Sequence, residues 1–279
     1  VVIVTAIFFF NNCFERVIPN WPVPPTIIAL GFFIDIFNYI MLLKKKILIF
    51  TATYNEKDNI ENLIRSINDN NLNVDIFIID DLSPDKTYVK IQDLQKEYKN
   101  IFLKIRNGKS GLDTAHKEAY EYAILNNYDY LITMDADLSH DPNEINNFIN
   151  YLSDFPFVIG SRYAKGGKCL MSGRRLLMSK FGNQLIKNVL QINSNEFTTS
   201  YRGFNLSKLK NFHLNKVSNK GYSFFMGTLF EIDKLGYKIK EIPIIFKDRQ
   251  KGLSKIPKIE ILRTIKNLLI LFFKKKIRF

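Results

Sequence analysis

Two carboxylates one residue apart, Asp135 and Asp137, end the apolar run Tyr130-Leu-Ile-Thr-Met134. Side chains of an extended chain alternate between faces, so an Asp-x-Asp at a strand exit turns both acids to one side. Acids so placed suit a hard divalent cation, Mg²⁺ or Mn²⁺, which takes oxygen ligands and commonly shares them with substrate phosphates. The chemistry implied is the handling of a diphosphate. The same pair also fits turn carboxylates that cap a helix starting near Pro142, so the motif decides nothing alone.

Further polar clusters follow other apolar runs: Thr53-Tyr54-Asn55-Glu56, Asp80-Asp81, and Arg106 to Gly111 with Lys109. The elements that must position them are short strands over 47–51, 74–80, 101–106, 130–134 and 157–160. These alternate with helices marked by Ile60, Leu63, Ile64 and Ile67 behind Asn55 and Asp58, and by Ala115, Ala119 and Ala123. That alternation writes an α/β fold, a mostly parallel sheet covered by helices. Ligands of such sheets bind at the carboxyl edge, so the four polar exits build one site. A further strand is expected over 239–246 and a helix after Pro257. On that helix Ile261, Ile265, Leu268 and Phe272 form a stripe, with Leu262 and Leu269 beside it and Lys274 to Lys276 and Arg278 after it. This pattern suits an amphipathic helix in a membrane interface or ordinary core packing. Lys266 leaves only Asn267 to Phe273 uncharged, well short of the ~20 residues a span needs.

The 279 residues, 46% of them hydrophobic, can bury a large core, and a net charge of +13 suits anionic partners. Cys13 and Cys169 stand far apart without metal-ligand spacing, so neither a disulfide framework nor a zinc site is indicated, and a reducing cytosolic setting fits. Three regions are expected. Residues 1–45 form an apolar extension or a membrane anchor, interrupted by Pro22, Pro24 and Pro25, carrying Asp35 and ending in basic residues. Residues 46–255 form the α/β body, and residues 256–279 the C-terminal helix and basic tail. A signal peptide is not indicated, since no basic stretch precedes the first apolar run.

From about Lys46 to Phe273 the ordered motifs resemble the inverting glycosyltransferases of the GT-A (Rossmann-like) fold, and within them the dolichol-phosphate (polyprenyl-phosphate) mannosyltransferases. The landmarks are Thr53-Tyr-Asn-Glu-Lys-Asp-Asn-Ile60, Ile79-Asp-Asp-Leu-Ser-Pro-Asp-Lys-Thr87, Arg106-Asn-Gly-Lys-Ser-Gly-Leu-Asp-Thr-Ala115 and Met134-Asp-Ala-Asp-Leu-Ser-His-Asp-Pro142. Gly160-Ser-Arg-Tyr163, Arg174-Arg175, Thr198-Thr-Ser-Tyr-Arg202, Gly221-Tyr-Ser-Phe224 and Asp248-Arg-x-x-Gly-x-Ser-Lys255 follow. The resemblance implies that Asp80 and Asp81 contact the nucleoside in a pocket lined by Thr53, Tyr54 and Glu56, with Lys109 also on the nucleotide sugar. Asp135 then lies under the nucleotide sugar and Asp137 binds the metal, Mg²⁺ or Mn²⁺. Ser139 falls at a third ligand position more usually Gln, and a hydroxyl is the poorer ligand. Arg162, Arg175 and Ser179 match positions for the acceptor phosphate and pyrophosphate, where a guanidinium fork suits phosphate oxygens. Arg202, Arg249 and Lys255 match basic positions that close over the nucleotide, and Arg174 is a neighbour. His116 and His140 need no catalytic role. Asp113, Lys86 and Ser200 replace glycines common in the family, and Gly227 stands where Glu is frequent; the first three bear on loop shape and donor fit.

The activity implied is transfer of a sugar, mannose from GDP-mannose, to a polyprenyl phosphate with inversion, at the cytoplasmic face of a membrane, and a membrane-anchoring protein is among the partners considered. The alternative keeps the donor site but extends a surface glycan or lipid-linked oligosaccharide, whose hydroxyl would need a base. The non-enzymatic reading is a basic nucleic-acid or membrane-binding protein. Nucleic acid is not expected as a partner, because the aromatic residues are not interleaved with basic ones in a stacking motif.

Overall fold

The computed structural model describes residues 45–171, 173–247 and 259–276. Strands β1 (Ile47–Thr53), β2 (Val74–Asp80), β3 (Ile101–Ile105), β4 (Tyr130–Thr133) and β5 (Phe157–Ser161) form where the apolar runs predict them. They alternate with helices α1 (Lys57–Asp69), α2 (Thr87–Glu97), α3 (Leu112–Leu125) and α4 (Ile145–Asp154). Residues 47–50 are buried on both faces of β1, as a strand covered by helices on either side must be. Ile60, Leu63, Ile64 and Ile67 form the packed face of α1, and Ala115, Ala119 and Ala123 that of α3.

After β5 come β6 (Lys168–Cys169), α5 (Gly173–Leu190), β7 (Arg202–Asn205), α6 (Ser223–Lys234), β8 (Ile239–Pro243), β9 (Ile245–Phe246) and α7 (Ile259–Lys276). The seven-stranded sheet has the order β3-β2-β1-β4-β7-β5-β8. Every pairing is parallel except those of β7, which runs antiparallel between β4 and β5. Periodicity did not announce β7, since Arg202-Gly-Phe-Asn205 holds one large apolar residue and so shows neither an apolar run nor an alternation. The strand expected over 239–246 divides at Ile244: Pro243, which has no N–H to donate, ends β8 on the main sheet, and β9 pairs with β6 in a separate two-stranded sheet.

Helix α7 packs on α5 and α6. Its inward face is not the expected stripe. Leu268 and Leu271 are buried and Asn267 donates to Ser223 Oγ at 2.6 Å, whereas Ile261, Leu262, Ile265 and Leu269 are exposed. The apolar residues outnumber the contacts that α5 and α6 offer, and the surplus faces outward.

Candidate functional site

The exits of β1, β2 and β4, the first turns of α3, α5 and α7, and the segment before α6 enclose one cleft of about 820 Å³. On its β4 side lie Asp135, Asp137 and Ser139. Asp135 Oδ1 accepts the Ser200 hydroxyl at 2.6 Å, and its own N–H donates to His140 Nδ1 at 3.1 Å. That bond leaves the imidazole proton on Nε2, which faces Thr199 Oγ1 at 3.2 Å. Burial lowers the pKa of His140; the ring is a neutral prop that shapes the turn. Asp137 is buried, with Oδ1 accepting the Ser139 N–H at 3.0 Å. Between them Leu138 holds a left-handed backbone, φ 62°, which costs a branched L-residue of order 1–3 kcal/mol and is typical of turns built around ligands.

The Ser139 hydroxyl is buried and makes no hydrogen bond among the described residues. A desolvated hydroxyl without a partner costs roughly 1–3 kcal/mol, and beside two carboxylates a cation or its water is the partner that chemistry supplies. Among the described residues no group of three or more His, Cys, Asp or Glu side chains could hold a metal by itself. The set therefore fits an ion such as Mg²⁺ whose shell is completed by ligand phosphates and water.

Thr53, Tyr54, Glu56, Asp81 and Lys109 line the other end of the cleft. Asp81 pairs with Arg106, whose Nε donates to Oδ1 at 2.5 Å, and accepts Ser110 N–H at 3.3 Å. Lys109 Nζ sits 4.7 Å from the centre of the Tyr54 ring. Asp80 does not line the cleft. It is fully buried, accepting Thr53 Oγ1 at 2.7 Å, Ser83 N–H at 2.8 Å and Ser83 Oγ at 2.6 Å. Of the two adjacent acids, Asp80 at the end of β2 turns into the protein and Asp81, the next residue, faces the cleft, so the nucleoside contact expected of Asp80 is corrected to a structural one.

Arg202 is also corrected. It lies on β7 between two strands, 1% exposed, and donates to the carbonyls of Thr199 (2.8 Å), Phe225 (2.7 Å) and Phe197 (3.1 Å). A guanidinium committed to three buried carbonyls cannot close over a nucleotide. Arg249 and Lys255 lie outside the described residues.

Arg162, Arg175 and Ser179, which the resemblance assigns to the acceptor phosphate, line the cleft, and Arg162 also borders a second cavity of about 640 Å³ beside α5. Glu196, which no sequence pattern singled out, holds Arg162 in a buried fork: Nε to Oε2 at 2.7 Å and Nη2 to Oε1 at 2.9 Å. Burial alone would raise the Glu196 pKa, but Arg162 and the Thr198 hydrogen bonds outweigh it and hold the carboxyl below the usual range. Arg162 Nη1 makes no hydrogen bond among the described residues. Arg175 is exposed on the first turn of α5, and Ser179, one turn on, accepts the Tyr163 hydroxyl at 2.7 Å.

The replaced glycines have distinct outcomes. Lys86 keeps the left-handed backbone, φ 61°, so the turn is preserved at the cost of strain. Ser200 supplies the hydroxyl that holds Asp135, a role for which the sequence carried no signal. Helix α7, expected in a membrane interface or in the core, adds Glu260 and Arg263 to the cleft wall.

Comparison with known families matches residues 48–212 to the model of glycosyl transferase family 2. The chain belongs to that family. Among curated relatives, an undecaprenyl-phosphate mannosyltransferase of Micrococcus luteus is 30% identical over 212 residues, covering 76% of this chain and 87% of its own. A polyprenol monophosphomannose synthase of Mycolicibacterium smegmatis is 29% identical over 215 residues, covering 76% and 81%. Among solved structures, a mannosyltransferase of Pyrobaculum calidifontis in complex with GDP-Man and Mn²⁺ superposes with a TM-score of 0.55 at 15% identity, covering 88% of this chain and 72% of that one. At that identity the likeness is one of fold: this family 2 glycosyltransferase has the mostly parallel, helix-covered sheet read from its strand pattern, of the GT-A type that the resemblance implied, with its acids at the carboxyl edge.

Proposed function

We propose that this glycosyltransferase moves mannose from GDP-mannose to the phosphate of a polyprenyl phosphate, with inversion at the anomeric carbon and at a membrane surface. The observation that carries the reading is the make-up of α5. One side of its N-terminal half brings Arg175 and Ser179 to the cleft, and the same half exposes Leu177 (68%), Met178 (57%) and Phe181 (72%). A helix that joins a guanidinium to an uncovered apolar surface suits an acceptor with an anionic head and a hydrocarbon tail. The curated relatives, both named for sugar transfer to polyprenyl carriers, support the same acceptor.

A phosphate monoester is ionised near neutral pH, so the nucleophile needs no side-chain base. Catalysis then rests on positioning and on charge placed in advance. Arg175 binds the acceptor phosphate in bidentate fashion, and Arg162, held by Glu196, turns Nη1 toward it. On the donor side Tyr54, Glu56, Asp81 and Lys109 seat the nucleotide, and the acidic turn sits below the diphosphate. Asp137, with Asp135 and the Ser139 hydroxyl, would hold a divalent ion, Mg²⁺ or Mn²⁺. When bound, such an ion neutralises charge gathering on the departing diphosphate. The Ser200 hydroxyl and His140 keep the Asp135 carboxylate and backbone in place.

Membrane contact follows from the same faces. Helix α7 exposes Ile261, Leu262, Ile265, Leu269 and Phe273 and ends in Lys274 to Lys276, and α5 contains no acidic residue. Apolar surface with only basic charge around it suits an anionic lipid surface. Among the described residues no helix is long and apolar enough to cross a membrane.

The test is incubation of the full chain with radiolabelled GDP-mannose, Mg²⁺ or Mn²⁺ and a short-chain polyprenyl phosphate. Label should enter the organic phase, and Asp137→Ala should abolish this. Label found only in water-soluble glycan, or undiminished transfer by Asp137→Ala, would overturn the proposal.

A further inference from the structure

Asp113 stands in the first turn of α3 with 6% of its surface exposed, and it lines the same cleft as Asp135 and Asp137. Its position is held tightly. Oδ1 accepts the Gly221 N–H at 3.0 Å, and the next amide, Tyr222 N–H, donates to Glu260 Oε2 at 3.3 Å. Gly221 has φ 61°, and a Cβ there would come within 2.8 Å of Glu260 Oε2. Two carboxylates from α3 and α7 thus grip consecutive amides before α6, and no side chain larger than hydrogen fits between. Asp113 Oδ2 makes no hydrogen bond among the described residues.

A carboxylate oxygen on a cleft wall with no partner in the protein is free to accept a donor from the ligand. Three considerations narrow which donor. A diphosphate offers none, and a third acid near Asp135 and Asp137 would repel it. The nucleoside end has its own acid in Asp81, already paired with Arg106, whereas Asp113 is tied to the segment before α6. What remains is a hydroxyl of the sugar. Helix α3 packs over β1 and β4, and this brings its first turn to the strand exits that carry Thr53 and Asp135.

We infer that Asp113 is a specificity-determining residue, its Oδ2 accepting a hydrogen bond from a hydroxyl of the transferred sugar. The inference rests on a nucleotide sugar as donor and is independent of the lipid acceptor. It gives the replacement of a family glycine by Asp at this position a chemical purpose, since glycine has no oxygen to offer.

Asp113→Asn separates recognition from architecture. The amide oxygen still accepts the Gly221 N–H, and only Oδ2 is exchanged for a donor. Affinities of the full-length wild type and variant are measured by calorimetry with Mg²⁺ for GDP-mannose, for its mono-deoxy analogues and for GDP. A hydrogen bond to a charged group implies a loss of about tenfold to a hundredfold for GDP-mannose, with GDP binding unchanged. One deoxy analogue should show the same loss on the wild type and no further loss on the variant, the signature of a direct pair. Equal weakening of GDP and GDP-mannose would mean that Asp113 only clamps Gly221, and unchanged GDP-mannose affinity would mean that Oδ2 contacts no sugar; either result overturns the inference. The deoxy series on the wild type stands even if the variant fails to fold, since no analogue weakening about tenfold would refute it too. If label does not pass to polyprenyl phosphate but the affinity difference holds, the acceptor proposal falls and this one stands; the converse pattern has the opposite meaning.

Discussion

Replacing Glu196 by Ala removes the partner of a guanidinium that has almost no water. The Arg162 side chain is 7% exposed and that of Glu196 0%, so the pair is desolvated on both sides. Leaving one member of such a pair costs about 3–5 kcal/mol, a large part of the 5–15 kcal/mol that holds a typical domain together. The structure also offers an escape. Arg162 borders two cavities, and a rotation into either would hydrate the charge and reduce the loss to about 1 kcal/mol. A double-mutant cycle by urea denaturation, using Glu196→Ala, Arg162→Met and both together, separates the outcomes. We expect the single Glu196→Ala loss to reach about 3 kcal/mol, with coupling of about 2 kcal/mol or more because each single variant strands a buried charge and the double variant strands none. The folded pKa of Glu196 is depressed, so its contribution is present above the ordinary glutamate value and is lost as pH falls through the lower folded value; Glu196→Gln should flatten that part of the acid limb. A loss under about 1 kcal/mol with coupling near zero would refute the premise that Glu196 holds Arg162 at the cleft wall.

His116 is buried against Phe50 and Phe225, and burial pulls its pKa down to about 3. The unfolded chain takes up its proton near pH 6.5 and the folded one does not, so stability falls as pH drops below that value, by about 1.4 kcal/mol per unit. Urea midpoints at pH 7 and pH 5 should show roughly 2 kcal/mol less acid sensitivity for His116→Leu than for wild type; equal sensitivity would contradict a neutral buried ring. Arg202→Met should cost about 2–5 kcal/mol by orphaning three carbonyls, while the folded fraction keeps its GDP affinity by calorimetry; selective loss of GDP binding would restore the nucleotide role. Leu177→Glu with Phe181→Glu should weaken sedimentation with phosphatidylglycerol vesicles at least about tenfold and leave the denaturation midpoint nearly unchanged, because both side chains are exposed. Unaltered vesicle binding would separate α5 from the membrane.

The sheet was readable because its strands are short apolar runs divided by helical periodicity, and both patterns are local. The polar exits were readable because each follows an apolar run, but Asp135 and Asp137 lie past the end of β4, and the turn around Leu138 rather than strand alternation brings both to the cleft. The adjacent acids at the end of β2 were harder. Asp80 and Asp81 differ only in the face each takes, and Thr53 and Ser83, brought in from a neighbouring strand and a turn, claim the first. Helix α7 was expected from its spacing, but α5 and α6 chose which of its residues to bury.

Residue type and order thus determined the mostly parallel sheet, the acidic turn and the guanidinium groups offered to the cleft. Tertiary structure alone decided that Glu196 holds Arg162 from 34 positions away, that Ser200 holds Asp135 from 65, and that Arg202 spends its charge on carbonyls. Periodicity records which face a residue takes within its own element, whereas a hydrogen-bond partner is set by which distant element the packed core brings within 3 Å.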